Sequence, residues 1–212
     1  MNATCDSCTG KFCSHGDLSQ APQNCPSLSV SREETLNRYP EKDMPSFLAS
    51  TILEAEGYGK LTRVQEIMEY AKRCGYEKIG VAFCSGFSNE AKVFCNVLRA
   101  NGFEVVSVCC KNGAVEKLSI GLTKEQLVQK GETFEAICNP AGQAAVLDTA
   151  GCQLSVVLGL CVGHDTLFIK NSKTPITVLA TKDRVTGHNA LAPLYCSEGY
   201  YKKKLFEYKF IK

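Results

Sequence analysis

From residue 78 onward the chain alternates short apolar, β-branched runs with helix-patterned segments, and that alternation leaves few folds open. The runs are "KIGVAFC" (78–84), "FEVVSVCC" (103–110), "FEAICN" (134–139), "QLSVVLGLC" (153–161) and "TPITVLAT" (174–181). Between them lie "SGFSNEAKVFCNVLRANG", with a helix predicted from Ser88 to Gly102, the short "TKEQLVQKG", and "PAGQAAVLDTAG", which has Pro140 at its start and Gly151 after it. Strands that are apolar throughout, rather than at every second residue, are buried on both faces. Strand–helix–strand order then points to a parallel sheet covered by helices on both sides. The predicted fold is α/β: a doubly wound, Rossmann-like, mostly parallel sheet of about five strands. Upstream, "MPSFLASTILEAEGYG" and "LTRVQEIMEYAKRCG" carry apolar residues at three- and four-residue spacing. The second has Thr62 as N-cap, Gln65 at the capping-box position and Gly75 as its stop.

Four of the predicted strands end on thiols: Cys84, the pair Cys109–Cys110, Cys138 and Cys161. In a parallel sheet all C-terminal ends lie on one edge, and ligands bind in the crevice outside them. Cysteine also serves as a small core hydrophobe, which accounts for Cys74, Cys95 and Cys152 on helices or helix edges. It accounts poorly for four matched strand ends. Adjacent residues point to opposite faces of a strand, so only one of Cys109 and Cys110 joins the others. Cys110, beside the polar "KNG" loop, is the expected one.

Loops on the same edge carry ionisable groups. His164 and Asp165 follow Cys161 in "CVGHD", and Lys182, Asp183, Arg184 and His188 follow the fifth strand in "TKDRVTGHN". His and Asp suit general acid–base work, while Lys and Arg hold a carboxylate or lower a thiol pKa. The catalytic candidates are therefore Cys84, Cys110, Cys138, Cys161, His164, Asp165, Lys182, Asp183, Arg184 and His188. No G-x-G-x-x-G or P-loop occurs, so neither a dinucleotide nor a nucleotide triphosphate is expected.

Residues 1–33 differ from the rest. They are rich in Cys, Ser, Gly, Asn, Gln and Pro, with almost no large aliphatics, and cannot order themselves by burial alone. Cys5, Cys8, Cys13 and Cys25 are spaced C-x2-C-x4-C-x11-C, with Pro26 after the last. Four thiolates suit tetrahedral zinc or an iron–sulfur cluster, and metal binding would supply the missing folding energy. The uneven spacing and the closing Cys-Pro favour a cluster, 4Fe-4S, over zinc; His15 is a possible substitute ligand. The expected organisation is a Cys-rich metal or iron–sulfur module at 1–33 and an α/β domain with the strand-end cysteine site at 34–212.

Thirteen cysteines in 212 residues, with no apolar leader and no run of ~18 apolar residues, read as thiols or metal ligands in a reducing cytoplasm rather than as a disulfide scaffold. A net charge of +2 gives no reason to expect nucleic acid or a membrane as partner. The lysine-rich end "YYKKKLFEYKFIK" is read as a solvated face or a final strand.

The segments "YGKLTRVQEIMEYAKRCGYEKIGVAFCSGFSNEA", "SVCCKNG", "CNPAGQA", "GLCVGHDTLF" and "KDRVTGHN" together resemble a prokaryotic family, domain of unknown function 1847, whose members are described as predicted metal-binding proteins. The resemblance covers nearly the whole chain and implies a metal-binding protein. It also implies that Cys5, Cys8, Cys13 and Cys25 match the four cysteines proposed in that family to hold an iron–sulfur cluster. One departure is Ala190 after "HN", where the family pattern has proline.

Two function classes fit these residues. One is an enzyme, an iron–sulfur-dependent oxidoreductase or desulfidase-like protein acting on a small molecule or passing electrons to a partner. In that reading the rim cysteines Cys84, Cys110, Cys138 and Cys161 bind a second cluster, or one of them is a nucleophile activated by His164 or His188. The other is a zinc-stapled, non-catalytic protein that binds or delivers a metal or small anion.

Overall fold

The computed structural model describes residues 3–211. The chain forms two compact units, Met1–Ile52 and Leu53–Lys212.

In the first unit, short helices α1 (Phe12–His15) and α2 (Arg32–Leu36) and the start of α3 (Met44–Gly57) are joined by turns. Helix α2 begins with a capping box, Ser31 accepting from the Glu34 amide while Glu34 accepts from that of Ser31. Among the described residues of this unit only Ala49 is buried. These described residues form no hydrophobic core of their own.

The second unit is a four-stranded parallel sheet: β1 (Lys78–Phe83), β2 (Glu104–Cys109), β3 (Leu154–Leu158) and β4 (Ile176–Ala180), in the order β2-β1-β3-β4. Its helices are α4 (Arg63–Arg73), α5 (Ser88–Ala100), α6 (Pro140–Thr149) and α7 (His164–Asn171), followed by the short α8 (Ala192–Tyr195) and α9 (Lys202–Phe206). The sheet is α/β and doubly wound. Ile79 and Val81 of β1 and Leu154 and Val156 of β3 pack with Ile67 and Ala71 of α4 and Phe94 and Leu98 of α5. Ala82 and Val157, on the opposite face, pack with Ala144 and Leu147 of α6 and Phe168 of α7. Gly80 lies on that second face because a Cβ there would come within 2.9 Å of Leu147 and 3.2 Å of the Cys152 sulfur. Helix boundaries follow the sequence signals: Thr62 and Gln65 form their capping box, Asn139 caps α6 by accepting from Gly142, and Gly75 and Gly102 take positive φ after α4 and α5.

Three expectations need correction. The sheet has four strands, not five, because 134–139 is not a strand. That segment runs antiparallel to the loop after β2 instead, with the Lys117 amide donating to Glu135, the Ile137 amide to Val115, and a bridge joining Glu116 and Ala136. Its neighbour 123–131 forms only a 3-10 turn at Lys124–Gln126, too short to serve as a crossover helix onto the sheet. Second, His164 and Asp165 open helix α7 rather than lying in a loop. Third, the lysine-rich end is a solvated face carrying α9, and among the described residues it forms no final strand. Among the described residues no helix is long and apolar enough to cross a membrane.

Candidate functional site: two groups of thiols

The strand order turns back at β1. Strand β2 lies on one side of β1 and β3 on the other, so the crevice of a doubly wound sheet opens outside the ends of β1 and β3. Cys84 follows β1 and Cys161 follows β3. A cleft of about 770 Å³ lies there, lined among others by Cys84, Ser85, Lys111, Cys138, Cys161, His164 and Arg184. Ile120, Leu122, Val128, Phe134 and Ile137, from the excursion between β2 and α6, line it too. Cys138 thus reaches the rim from a loop, not from a strand end.

The pairing register settles which residue of the adjacent pair meets Cys84. Phe83 pairs with Cys109, and the Cys110 amide donates to the Phe83 carbonyl at 2.8 Å. Cys110 therefore stands beside Cys84 and points the same way, and both belong to the cluster packed on α6. Cys109 is half-buried at the edge of that cluster. The Cys110 sulfur, 2% exposed, accepts from the Ser85 amide at 3.3 Å. The hydrogen bond that Cys110 donates, the Gly86 amide and the Lys182 ammonium together outweigh burial and bring the Cys84 thiol down to about 4. The same hydrogen bond, now to a neighbouring anion, and burial push the Cys110 thiol up. This pair holds one proton, kept on Cys110.

The other two rim thiols face cations. The Lys111 ammonium donates to the Cys138 sulfur at 3.4 Å and to the Ala136 carbonyl at 2.6 Å. The Arg184 guanidinium donates to the Cys161 sulfur at 3.3 Å, and its pKa is raised by that contact and by the charges of Cys84 and Cys138. Lys117, also in the cleft, is paired with Glu135 at 2.7 Å. Lys111, Arg184 and Lys182 make no carboxylate ion pair among the described residues. The cleft is a cationic pocket lined by thiols.

The remaining candidates shape the surroundings. Lys182 sits 4.4 Å over the Phe87 ring, and the exposed His188 ring lies 4.4 Å from the same ring. The His188 Nδ1 accepts from the Asp183 amide at 3.2 Å, while the Asp183 carboxylate accepts from the Val185 and Thr186 amides. The adjacent Thr186 side chain and those amide bonds hold the Asp183 carboxyl below its ordinary value. Asp165 accepts from the Gly163 and Thr166 amides at 3.0 and 2.7 Å and so ties down the start of α7. Asp165, Lys182, Asp183 and His188 do not line the cleft, whereas His164 and Arg184 do. The sequence reading missed Lys111, although it directly follows Cys110. It also missed Gln143, fully buried, whose amide donates to the carbonyls of Phe83 and Val108 and so fastens α6 beneath the thiol pair.

In the first unit Cys5, Cys8, Cys13 and Cys25 all line one cavity of about 440 Å³. They come from a 3-10 turn at Cys5–Ser7 and its C-cap, from α1, and from the residue before a 3-10 turn at Pro26–Leu28. All thirteen cysteines are free thiols. Among the described residues no three His, Cys, Asp or Glu side chains are grouped as metal ligands in their present positions.

Compared with known proteins, the chain is 40% identical over 205 residues to the uncharacterized protein MJ0455 of Methanocaldococcus jannaschii, covering 97% of this chain and 99% of that one. A crystal structure of Dph2 from Pyrococcus horikoshii with a 4Fe-4S cluster matches 47% of this chain and 22% of its own, at 20% identity and a TM-score of 0.30. Residues 25–179 match the family described as protein of unknown function (DUF1847), and with that match and the full-length relative the chain belongs to this family.

Proposed function

We propose that the protein binds a metal, as an iron–sulfur cluster, through Cys5, Cys8, Cys13 and Cys25, and that its cationic thiol cleft carries out redox or sulfur chemistry on a small anionic molecule. The observation that carries the reading is the convergence of those four cysteines, 20 residues apart from first to last, on one cavity in a unit with no core. A coreless segment gains its ordering energy from metal–thiolate bonds, and its turns can close on a metal as it binds. When bound, a cluster there supplies one-electron transfer.

The rim differs in kind. Its thiols stand where a rigid sheet and the antiparallel loop put them, and each already has a partner: Cys84 with Cys110, Cys138 with Lys111, Cys161 with Arg184. Cys84 is held as a thiolate, the cations beside the other two attract anions, and we read the rim as a thiol site rather than a second cluster site.

The test is iron, acid-labile sulfide and zinc per chain, after purification without oxygen, in the wild type, a Cys13→Ala/Cys25→Ala variant and a Cys138→Ala/Cys161→Ala variant. The expected result is about four irons and four sulfides, as for a 4Fe-4S cluster, lost in the first variant and kept in the second. One zinc without sulfide would replace the cluster by a structural staple. Iron that falls in the second variant would place a cluster on the rim.

A further inference from the structure

We infer that Cys84 and Cys110 form a dithiol–disulfide pair that reduces a small anionic organic disulfide bound in the cleft, with Cys84 attacking and Cys110 resolving. The inference rests on reading the rim as a thiol site, and it adds the substrate class and the roles of two residues.

Geometry comes first. Residues in register on neighbouring parallel strands have Cα atoms about 4.8 Å apart, inside the roughly 4.4–6.8 Å window of disulfides. Cys84 and Cys110 immediately follow the paired residues Phe83 and Cys109, and the Cys110 amide still bonds to Phe83, so the register extends to them. Both residues belong to one packed cluster, and each thiol is the leading influence on the acidity of the other, which sets the two side chains against one another. Cys84 lines the cleft, whereas Cys110 does not. An incoming molecule therefore meets Cys84, and Cys110 waits behind it.

The charges assign the order of events. Cys84 is the thiolate and attacks one sulfur of the substrate. The substrate S–S bond breaks, one half leaves as a thiolate that takes a proton from water, and the other half remains on Cys84 as a mixed disulfide. Attack consumes the negative charge on Cys84, and with it the main cause that holds the proton on Cys110. Cys110 then ionises, its proton passing to water, and its sulfur attacks the Cys84 sulfur. The second half of the substrate is expelled as a thiolate, and the Cys84–Cys110 disulfide closes. Two electrons have moved from the dithiol to the substrate disulfide. An external dithiol restores the pair by the reverse exchange.

The cleft describes the substrate. Lys111 and Arg184 reach into it without carboxylate partners among the described residues, which selects negative charge. Ile120, Val128, Phe134 and Ile137 form an apolar wall for an organic body. A volume of about 770 Å³ admits a drug-sized molecule but not a folded protein.

The probe is 5,5′-dithiobis(2-nitrobenzoate), an anionic aromatic disulfide, mixed with the full-length protein without oxygen at about pH 6, where ordinary thiols are less than about 1% ionised. The expected result is a fast release of two thiol equivalents per chain, with Cys84 and Cys110 disulfide-linked by peptide mapping. Cys110→Ser should release one fast equivalent and keep the mixed disulfide on Cys84. Cys84→Ser, and Cys84→Ala as a second variant, should slow the phase about a hundredfold, the difference in thiolate fraction. A fast phase that persists in both Cys84 variants, or wild-type protein whose mapped peptides lack the Cys84–Cys110 link, overturns the inference. Iron and sulfide measured on the same samples and on the Cys13→Ala/Cys25→Ala variant report on the N-terminal cysteines, so failure of the cluster reading is separately visible.

Discussion

The ring of Phe87 occupies the space that a side chain on Gly159 would need. Gly159 also has φ +64°, a left-handed conformation that favours glycine. Two demands thus meet at one residue, just past the end of β3 and beside the cleft. The ring so placed lies beneath the Lys182 ammonium, which acts on Cys84. Gly159→Ala should therefore lower stability by about 2–4 kcal/mol, from overpacking and strained backbone together. It should also slow alkylation of Cys84 if the fold survives. Urea unfolding and alkylation on one sample check both; a Gly159→Ala protein as stable as wild type would contradict the account.

Asp148, in α6, ties the approach to β4. Its carboxylate accepts from the Thr174 hydroxyl at 2.6 Å and from the amides of Lys173 and Thr174. Burial opposes the charge, but these hydrogen bonds together win and hold the Asp148 carboxyl below 3.8. A depressed carboxyl contributes stability that is present above the unfolded pKa and is lost as pH falls through the folded value. Asp148→Ala should cost about 1–3 kcal/mol at neutral pH, since the amides of Lys173 and Thr174 lose their acceptor and the buried Thr174 hydroxyl keeps only the longer bond to the Cys152 carbonyl. The gap between variant and wild type should narrow below about pH 3.8. Urea midpoints across that range decide it, and a gap independent of pH would place the cost in packing instead.

Much of this fold is legible because its signals are local. Thr62–Gln65, Pro140 and the apolar runs of β1, β2 and β3 each act within a few residues, and the helices and strands form where those signals stand. Residues 134–139 mislead because an apolar run before a Pro-started helix reads the same whether it joins the sheet or pairs with a nearby loop. The choice depends on Val115 and Lys117, about twenty residues back, whose backbone groups it pairs with. The site follows the same division. The expected set includes Cys84, Cys110, Cys138, Cys161, His164 and Arg184, all within or directly behind the cleft wall. Asp165, Asp183 and His188 share a neighbourhood with them in sequence, but their polar atoms are engaged by nearby backbone amides. No spacing rule separates a carboxylate that bonds its own loop from one that faces a ligand.

Lys182 sets how acidic Cys84 is. The Cys110 hydrogen bond is the largest cause of the shift, and Lys182 adds both a hydrogen bond and a positive charge. The rate of Cys84 alkylation by neutral iodoacetamide should follow the thiolate, rising with pH through a midpoint near about 4. Removing a cation moves a thiol upward, so Lys182→Met should shift that midpoint up by about one unit or more. Lys182→Arg should largely restore it. Peptide-resolved alkylation against pH gives both values, and an unchanged midpoint in Lys182→Met would leave Cys110 and the Gly86 amide as the operative groups.

Selection by charge is the remaining question in the cleft. Lys111 and Arg184 each touch a thiol, and between them they set the sign of the potential that a ligand meets. Replacing both by Met should slow the reaction of Cys84 with an anionic disulfide about tenfold, the equivalent of ~1.4 kcal/mol. A neutral disulfide such as 2,2′-dithiodipyridine should react at nearly the wild-type rate, because its approach gains nothing from the lost charges. Added salt should weaken the wild-type preference toward that of the variant, since the partly exposed cations are screened within about 8–10 Å. The comparison separates attraction from acidity: a change in Cys84 ionisation slows both disulfides alike, whereas loss of attraction slows only the charged one. Equal slowing of the two would move Lys111 and Arg184 from substrate selection to tuning of the thiols.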